Sequence, residues 1–319
     1  MLSKIKNIRP DIFVTEFFPF GREDSRFELL PVLTYLKKRG TRIFASIGYP
    51  YIVQENIKIL TFYTNFYDKF LIHTPRNLEY QYLYKNISHP ELRKIYDKVF
   101  RLLEKKIIYT GYILPAAARD DKGISGYDIK GRLKIMGRPL VIVSRGGGVI
   151  YPRIIINSIL VNKYLPKEVF FIIVAGPSSS KQELKLFNKL IKEAKAKNIK
   201  LYKYTPDFSA LLKASDISIS MAGYNTAVQL LYFKKESILI PSSVDPEIAT
   251  GYCSEQLSRA ELLHRYLHSV VLDYGKMSVK DMAKAIRERL LRRRPISAKI
   301  DDNWFYGDKV TADYLINNG

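Results

Sequence analysis

Three short stretches of this 319-residue chain combine residue types suited to an anionic, hydroxyl-bearing ligand, and each follows an apolar run of strand character. The first is Ser144-Arg145-Gly146-Gly147-Gly148, where glycines let backbone approach a ligand closely and the guanidinium of Arg145 is a natural phosphate partner. An ordinary tight turn would use the same residues. The second is Ala222-Gly223-Tyr224-Asn225-Thr226, in which Gly223, Asn225 and Thr226 suit a helix start that cradles phosphate through its unbonded N–H groups. The plainer reading makes Asn225 or Thr226 an N-cap and nothing more. The third is Glu255-Gln256, with Arg259 one turn on. A carboxylate can take two hydroxyls while the neighbouring amide reads another, although glutamate in a first helical turn is also favoured by the helix dipole alone.

Candidates for proton transfer are fewer. Glu16 follows the first apolar strand and His73 ends the run LIHTP, so both fall at the carboxyl ends of strands, where an acid or base reaches a ligand. A surface turn residue for Glu16 and a structural rim histidine for His73 are the competing assignments. His264 and His268 stand four residues apart without a third ligand, which is the pattern of a solvated helix face. The single cysteine, Cys253, offers neither an intramolecular disulfide nor metal-ligand spacing. There is no Walker-type phosphate loop, no Ser/His/Asp arrangement and no nucleic-acid-binding motif, and the expectation is a protein with no nucleic-acid partner.

The elements that must position these residues are legible from periodicity. From Pro139 onward, apolar strands alternate with amphipathic helices: PLVIVSRGGG (139–148), EVFFIIVAGP (168–177), helix KQELKLFNKLIKEAKAKN (181–198), and so on to SVKDMAKAIRERLL. Six such units predict a doubly wound, Rossmann-like parallel sheet over residues 138–292. The N-terminal portion, residues 1–115, repeats the pattern with about four strands, DIFVTEFFP (11–19), RIFASIG (42–48), DKFLIHTP (68–75) and KIIYTGYIL (106–114). Residues 116–137 are rich in glycine and charge without apolar periodicity and read as an interdomain linker. Residues 293–319 read as a tail whose last helix, with Val310, Ala312, Tyr314 and Leu315 on its apolar face, docks back on the body.

Composition narrows the class. A hydrophobic fraction of 47% with 26% charged residues belongs to a folded protein with a real core, and the length accommodates two domains. No stretch reaches the roughly 18 apolar residues that cross a bilayer, and the start MLSKIKNIRPDIF lacks a signal peptide's apolar centre. Together with the lone cysteine, these features point to the cytoplasm. Lys and Arg number 52 against 31 Asp and Glu, a net +21 that favours phosphorylated ligands or an anionic membrane surface. The densest basic run, Arg287 to Arg294, lies at a helix end, where solvated cations also complement the dipole.

Taken in order, the three ligand loops resemble the C-terminal domain of GT-B glycosyltransferases, in particular the family 28 type that includes the enzyme forming peptidoglycan lipid II. The stretches EQLSRAELLHRYLHSVVLDYGKMSVKDMAKAI and DIFVTEFFPFGREDSRFELLPVL resemble a branch of predicted bacterial glycosyltransferases, so the likeness runs from about residue 10 to the end. The resemblance implies an α/β fold of two Rossmann-like domains, the N-terminal one incomplete because the opening βαβ units of that domain have no counterpart here. It implies a nucleotide-sugar donor, of uridine diphosphate type, held by Ser144, Arg145, Gly146, Gly147, Ala222, Gly223, Tyr224, Asn225, Thr226, Gln229, Glu255, Gln256 and Arg259. Gln229 stands where the family usually places a glutamate toward the ribose. With no cofactor and no obligatory metal, transfer would rest on helix N-termini and Arg145 at the leaving diphosphate, with His73 or Glu16 as proton acceptor. The implied acceptor is lipid-linked or otherwise at the inner face of an anionic membrane. The alternatives are a nucleotide-sugar-binding subunit completed by a partner chain or by self-association, and a sugar-nucleotide epimerase on the same fold.

Overall fold

The computed structural model describes residues 1–20, 23–48, 57–78, 90–119, 126–147, 152–241, 255–291 and 299–318. These form two compact units. The first runs from Met1 to Ile113 and takes in the C-terminal segment from Asp301; the second comprises Leu114–Asp245 and Gln256–Ile300.

In the first unit α1 (Leu2–Ile8), β1 (Ile12–Glu16), α2 (Arg26–Arg39), β2 (Arg42–Ile47), α3 (Ile57–Thr64), β3 (Lys69–Ile72), α4 (Pro90–Leu103) and β4 (Ile107–Tyr109) follow in turn. The strands lie parallel in the order β1-β2-β3-β4. Right-handed crossovers that always step the same way leave their helices on one face of the sheet. Leu29, Val32, Leu33 and Leu36 of α2 accordingly fill one core with Ile43, Ala45, Ile47, Phe70 and Ile72. On the opposite face, the C-terminal helix (Gly307–Asn318) sets Tyr314 edge-on to Phe44, with centroids 6.2 Å apart. That helix packs on this unit through only part of the apolar set read from the sequence. Val310 and Ala312 are exposed, while Tyr314, Leu315 and the buried Gly307 turn inward.

The second unit begins earlier than the sequence suggests. Residues 116–137 are not a bare linker: α5 (Ala116–Arg119) and α6 (Gly126–Arg132) belong to this unit, Ile129 and Ile135 are buried, and Lys130 Nζ lies 2.7 Å from Asp216 Oδ2. A period too short to register as amphipathic is anchored by one ion pair and two isoleucines. There follow β5 (Leu140–Ser144), α7 (Arg153–Leu160), β6 (Phe170–Val174), α8 (Lys181–Glu193), β7 (Ile199–Tyr202), α9 (Phe208–Ala214), β8 (Ile217–Ser220) and α10 (Tyr224–Tyr232). β9 (Ser237–Leu239), α11 (Glu255–Leu267), β10 (Val270–Val271) and α12 (Val279–Leu291) complete it.

The sheet order β10-β9-β8-β5-β6-β7 is parallel throughout and reverses direction between β5 and β8, which makes it doubly wound. Every residue of β5 and β6 is buried, as apolar runs covered on both faces must be. One face packs Ile154 and Ile155 of α7, Phe187 of α8 and Met282 and Ile286 of α12 against Val141, Val143, Phe171 and Ile219. α8 starts where Ser180 and Glu183 cap each other reciprocally, fixing the helix end with two satisfied donors. No described helix is long and apolar enough to cross a membrane.

Candidate functional site

In an open parallel sheet, ligands bind outside the carboxyl ends of the strands where the order reverses. Here that point lies between β5 and β8, and β9 is the next neighbour of β8. Strands β5, β8 and β9 lead toward the three stretches singled out above, and the sheet sets the ends of these strands side by side. Ser144 and Ser220 end β5 and β8 in register with each other. Ser220 carries no motif and escapes sequence reading; its buried Oγ has no hydrogen-bond partner among the described residues.

The first loop leaves β5 through Ser144, whose Oγ accepts from the Gly146 N–H at 3.1 Å, and Gly146 takes a φ of 73°, a conformation that favours glycine. Gly147 and Gly146 are exposed, and a Cβ built on either would meet nothing within 4 Å. Gly148 lies outside the described residues. Among the described residues, Arg145 turns its charge toward the end of β6 and the start of α8. Its side chain is wholly buried: Nε donates to Ala175 O at 2.8 Å, Nη2 to Ser179 Oγ at 2.9 Å, and Nη1 meets Glu183 Oε1 at 2.7 Å. Arg145 holds Glu183 well below the usual carboxylate range, at about 2, and pins the start of α8 to β5 and β6. These contacts make Arg145 an anchor of the fold, through a carboxylate that sequence spacing does not connect to it.

The second loop turns sharply at Ala222, whose φ is 60°, and Gly223 caps α10 with a φ of −60° and no side-chain hydrogen bond. Asn225 and Thr226 therefore sit in the first turn and are not the cap. Tyr224, Asn225 and Thr226 bring first-turn N–H groups to the carboxyl edge of the sheet, Asn225 with its side chain exposed. A Cβ on Gly223 would also meet nothing within 4 Å. Arg259 reaches this turn from α11: its Nη1 donates to Ala222 O at 2.8 Å, and its guanidinium stacks 5.9 Å from the Tyr224 ring centre. Glu255 and Gln256 open α11 as expected, with Gln256 half-buried; the Glu255 side chain is outside the described set. Gln229 points away from the rim. Its Oε1 accepts from Ser209 Oγ at 2.7 Å and its Nε2 donates to Asn225 O at 3.0 Å, which ties α10 to α9 inside the unit.

In the first unit, His73 follows β3 and is 4% exposed, with Nε2 2.8 Å from Ser46 Oγ and Nδ1 2.8 Å from Thr110 Oγ1. It clips together the carboxyl ends of three neighbouring strands, and burial pushes its pKa down to about 4. A ring engaged at both nitrogens and held neutral is a poor proton acceptor for an outside ligand. Glu16, by contrast, is exposed at the carboxyl end of β1. His264 Nδ1 lies 2.6 Å from Ser269 O, a local contact at the end of α11. No cluster of three metal-ligating side chains occurs among the described residues.

Two parallel α/β units, the second with glycine loops and a bare helix start at its reversal point, define a two-unit Rossmann-like protein of the GT-B class. Residues 154–303 match the glycosyltransferase family 28 C-terminal domain, and the two-unit fold is of the GT-B type. Its fold is similar to that of Acinetobacter baumannii MurG, with a TM-score of 0.54 at 13% identity over 98% of this chain and 77% of that one. It is likewise similar to CalG4, the calicheamicin glycosyltransferase, with a TM-score of 0.53 at 12% identity over 99% of this chain and 78% of that one. No curated protein matches the chain by sequence.

Proposed function

We propose that the second unit binds a nucleotide diphosphate sugar, of uridine type, and that the chain transfers the sugar to an acceptor. The observation that carries this reading is the open space over Gly147 and Gly223. Neither residue has a positive φ and neither is crowded by the described residues, so neither backbone strain nor packing among them demands glycine there. An approaching ligand does. The donor's diphosphate would lie at the start of α10, its negative charge met by the first-turn N–H groups of Tyr224, Asn225 and Thr226. Arg259 acts from below as a positioning residue, holding the Ala222 carbonyl away from the anion. Glu255 and Gln256 are assigned to the sugar hydroxyls.

In the transfer, the bond from the sugar's anomeric carbon to the diphosphate oxygen breaks and a bond to the acceptor oxygen forms. The acceptor's proton passes to a base, for which Glu16 is the assignment now that His73 is tied into the strand ends. The diphosphate departs with the electron pair, stabilised electrostatically, and the reading calls for no metal. The acceptor is assigned to an anionic membrane surface, where a lipid-linked sugar chain would be met.

A nucleotide-sugar-binding subunit completed by another polypeptide is the second reading. The observation favouring it is β1, which pairs with β2 alone among the described strands and leaves Val14 41% exposed.

Calorimetry with uridine and thymidine diphosphate sugars tests the donor site. The parent should bind, and Gly223→Ala should bind more weakly because its Cβ enters the space assigned to the ligand. Gly223→Trp, whose side chain enters open space and leaves the fold intact, should bind at least about tenfold more weakly. Absence of binding at millimolar donor, or equal binding by Gly223→Trp, overturns the assignment.

A further inference from the structure

Between Lys181 and Lys203 the chain carries eight lysines and two glutamates. α8 takes the first four lysines, Lys181, Lys185, Lys189 and Lys192, at spacings of four, four and three. At 100° per residue they fall within one narrow arc, a straight stripe about 16 Å long. All four are exposed, as are Lys195 and Lys197 just beyond the helix. Such a stripe is commonly a solvated face balanced by acids on the neighbouring turn. Here the acids are spent. Glu183 is committed to buried Arg145 and to the Ser180 N–H, and Glu193 sits 3.8 Å from Lys189 alone. Leu186, 44% exposed, borders the stripe, and Tyr204 beyond β7 is 64% exposed. β7 is also the sheet's outer strand, so this flank of the unit is uncovered by other strands.

We propose that the lysine face of α8 is the surface through which the protein lies against an anionic lipid bilayer. The partner follows from charge complementarity and shape. Lysine ammoniums on a rigid, straight helix are compact point charges without the bidentate fork that selects a fixed phosphate, and laterally mobile headgroups can gather beneath them. Exposed Leu186 adds a small apolar contact at the interface. No base-stacking platform interleaves the lysines along the stripe, which disfavours single-stranded nucleic acid. The inference names the surface for the membrane partner invoked above, and it rests on charge rather than on the donor site.

Flotation of the full chain with phosphatidylcholine vesicles, with and without phosphatidylglycerol, tests it. Binding should require the anionic lipid and fall steeply with salt. Changing Lys181, Lys185, Lys189 and Lys192 together to Gln should weaken it by about a hundredfold or more, since each lysine near such a surface contributes roughly a factor of five. The matching change of Lys94, Lys98, Arg101 and Lys105 on and after α4 should leave binding near the parent's. Both variants should keep the parent's unfolding midpoint and donor affinity, so a failed donor site and a failed lysine face are told apart. Equal binding by parent and stripe variant, loss only in the α4 variant, or an oligonucleotide displacing the protein from vesicles through the stripe would each overturn the proposal.

Discussion

At the scale of single residues, several polar side chains that look poised for a ligand are spent on the protein. Arg145 is drawn inward because Glu183, Ser179 and the Ala175 carbonyl together satisfy its buried guanidinium. Gln229 suits its place better than a glutamate would: its amide donates to the Asn225 carbonyl, a role no ionised carboxylate can fill. His73 yields a pH prediction. The buried ring is neutral with a pKa of about 4 against 6.5 when exposed in the unfolded chain, so protons bind the unfolded state preferentially between those values. The associated stability is fully present above pH 6.5 and lost as the pH falls toward 4, in total on the order of 3 kcal/mol. His73→Gln should lower the melting temperature at pH 7 yet show a shallower decline between pH 6.5 and 4. Parallel declines for parent and variant would refute the assignment.

At the scale of elements, the return of the C-terminal segment to the first unit depends on two glycines. Tyr112 N donates to Trp304 O at 2.6 Å, and Gly307 N donates to Tyr112 O at 3.0 Å. A Cβ at Gly307 would overlap the Gly111 carbonyl and stand 2.7 Å from Tyr112 O, while Gly111, with φ 83°, faces Trp304 O at 2.9 Å. Backbone against backbone cannot yield cheaply. Gly307→Ala should therefore cost about 3 kcal/mol and release the terminal helix, read as a lower urea midpoint and faster proteolysis near residues 299–306. Gly131→Ala in α6, where a Cβ meets nothing within 4 Å, should be neutral or stabilising by up to about 1 kcal/mol. Equal midpoints for the two variants would show that the clasp does not hold the segment.

At the scale of the whole molecule, the two sheets differ in one respect that bears on association. The second reverses strand order and has helices on both faces; among the described strands the first does not reverse, and β1 ends it. Phe13 and Thr15 turn to the covered side while Ile12 is half-buried and Val14 and Glu16 are exposed. An open parallel edge with an apolar residue beside it invites another strand. We expect the 36.9 kDa chain to scatter light as a species larger than one copy at tens of micromolar, and Val14→Lys to return it toward a single copy. A parent that stays monomeric with one cooperative transition removes edge pairing, and with it the subunit reading.

Residue order determined a good deal. Apolar runs of strand length, alternating with stretches of helical periodicity, point to both parallel sheets and their strand numbers, most clearly for β5 and β6, which are buried on two faces. The three glycine-bearing or acidic loops were likewise visible, since a strand end followed by Gly or a helix start is a local feature. Helix α1 was not: seven residues with no buried side chain carry no periodic signal. Nor were the true partners of the polar residues. That Arg145 finds Glu183 across 38 positions, Gln229 finds Ser209 across 20, and His73 joins Ser46 to Thr110 is decided by which strand ends and helix starts the tertiary structure brings together. Hydrogen bonds and ion pairs act over about 3 Å in space and have no period along the chain, so only the folded protein separates groups facing a ligand from groups holding the fold.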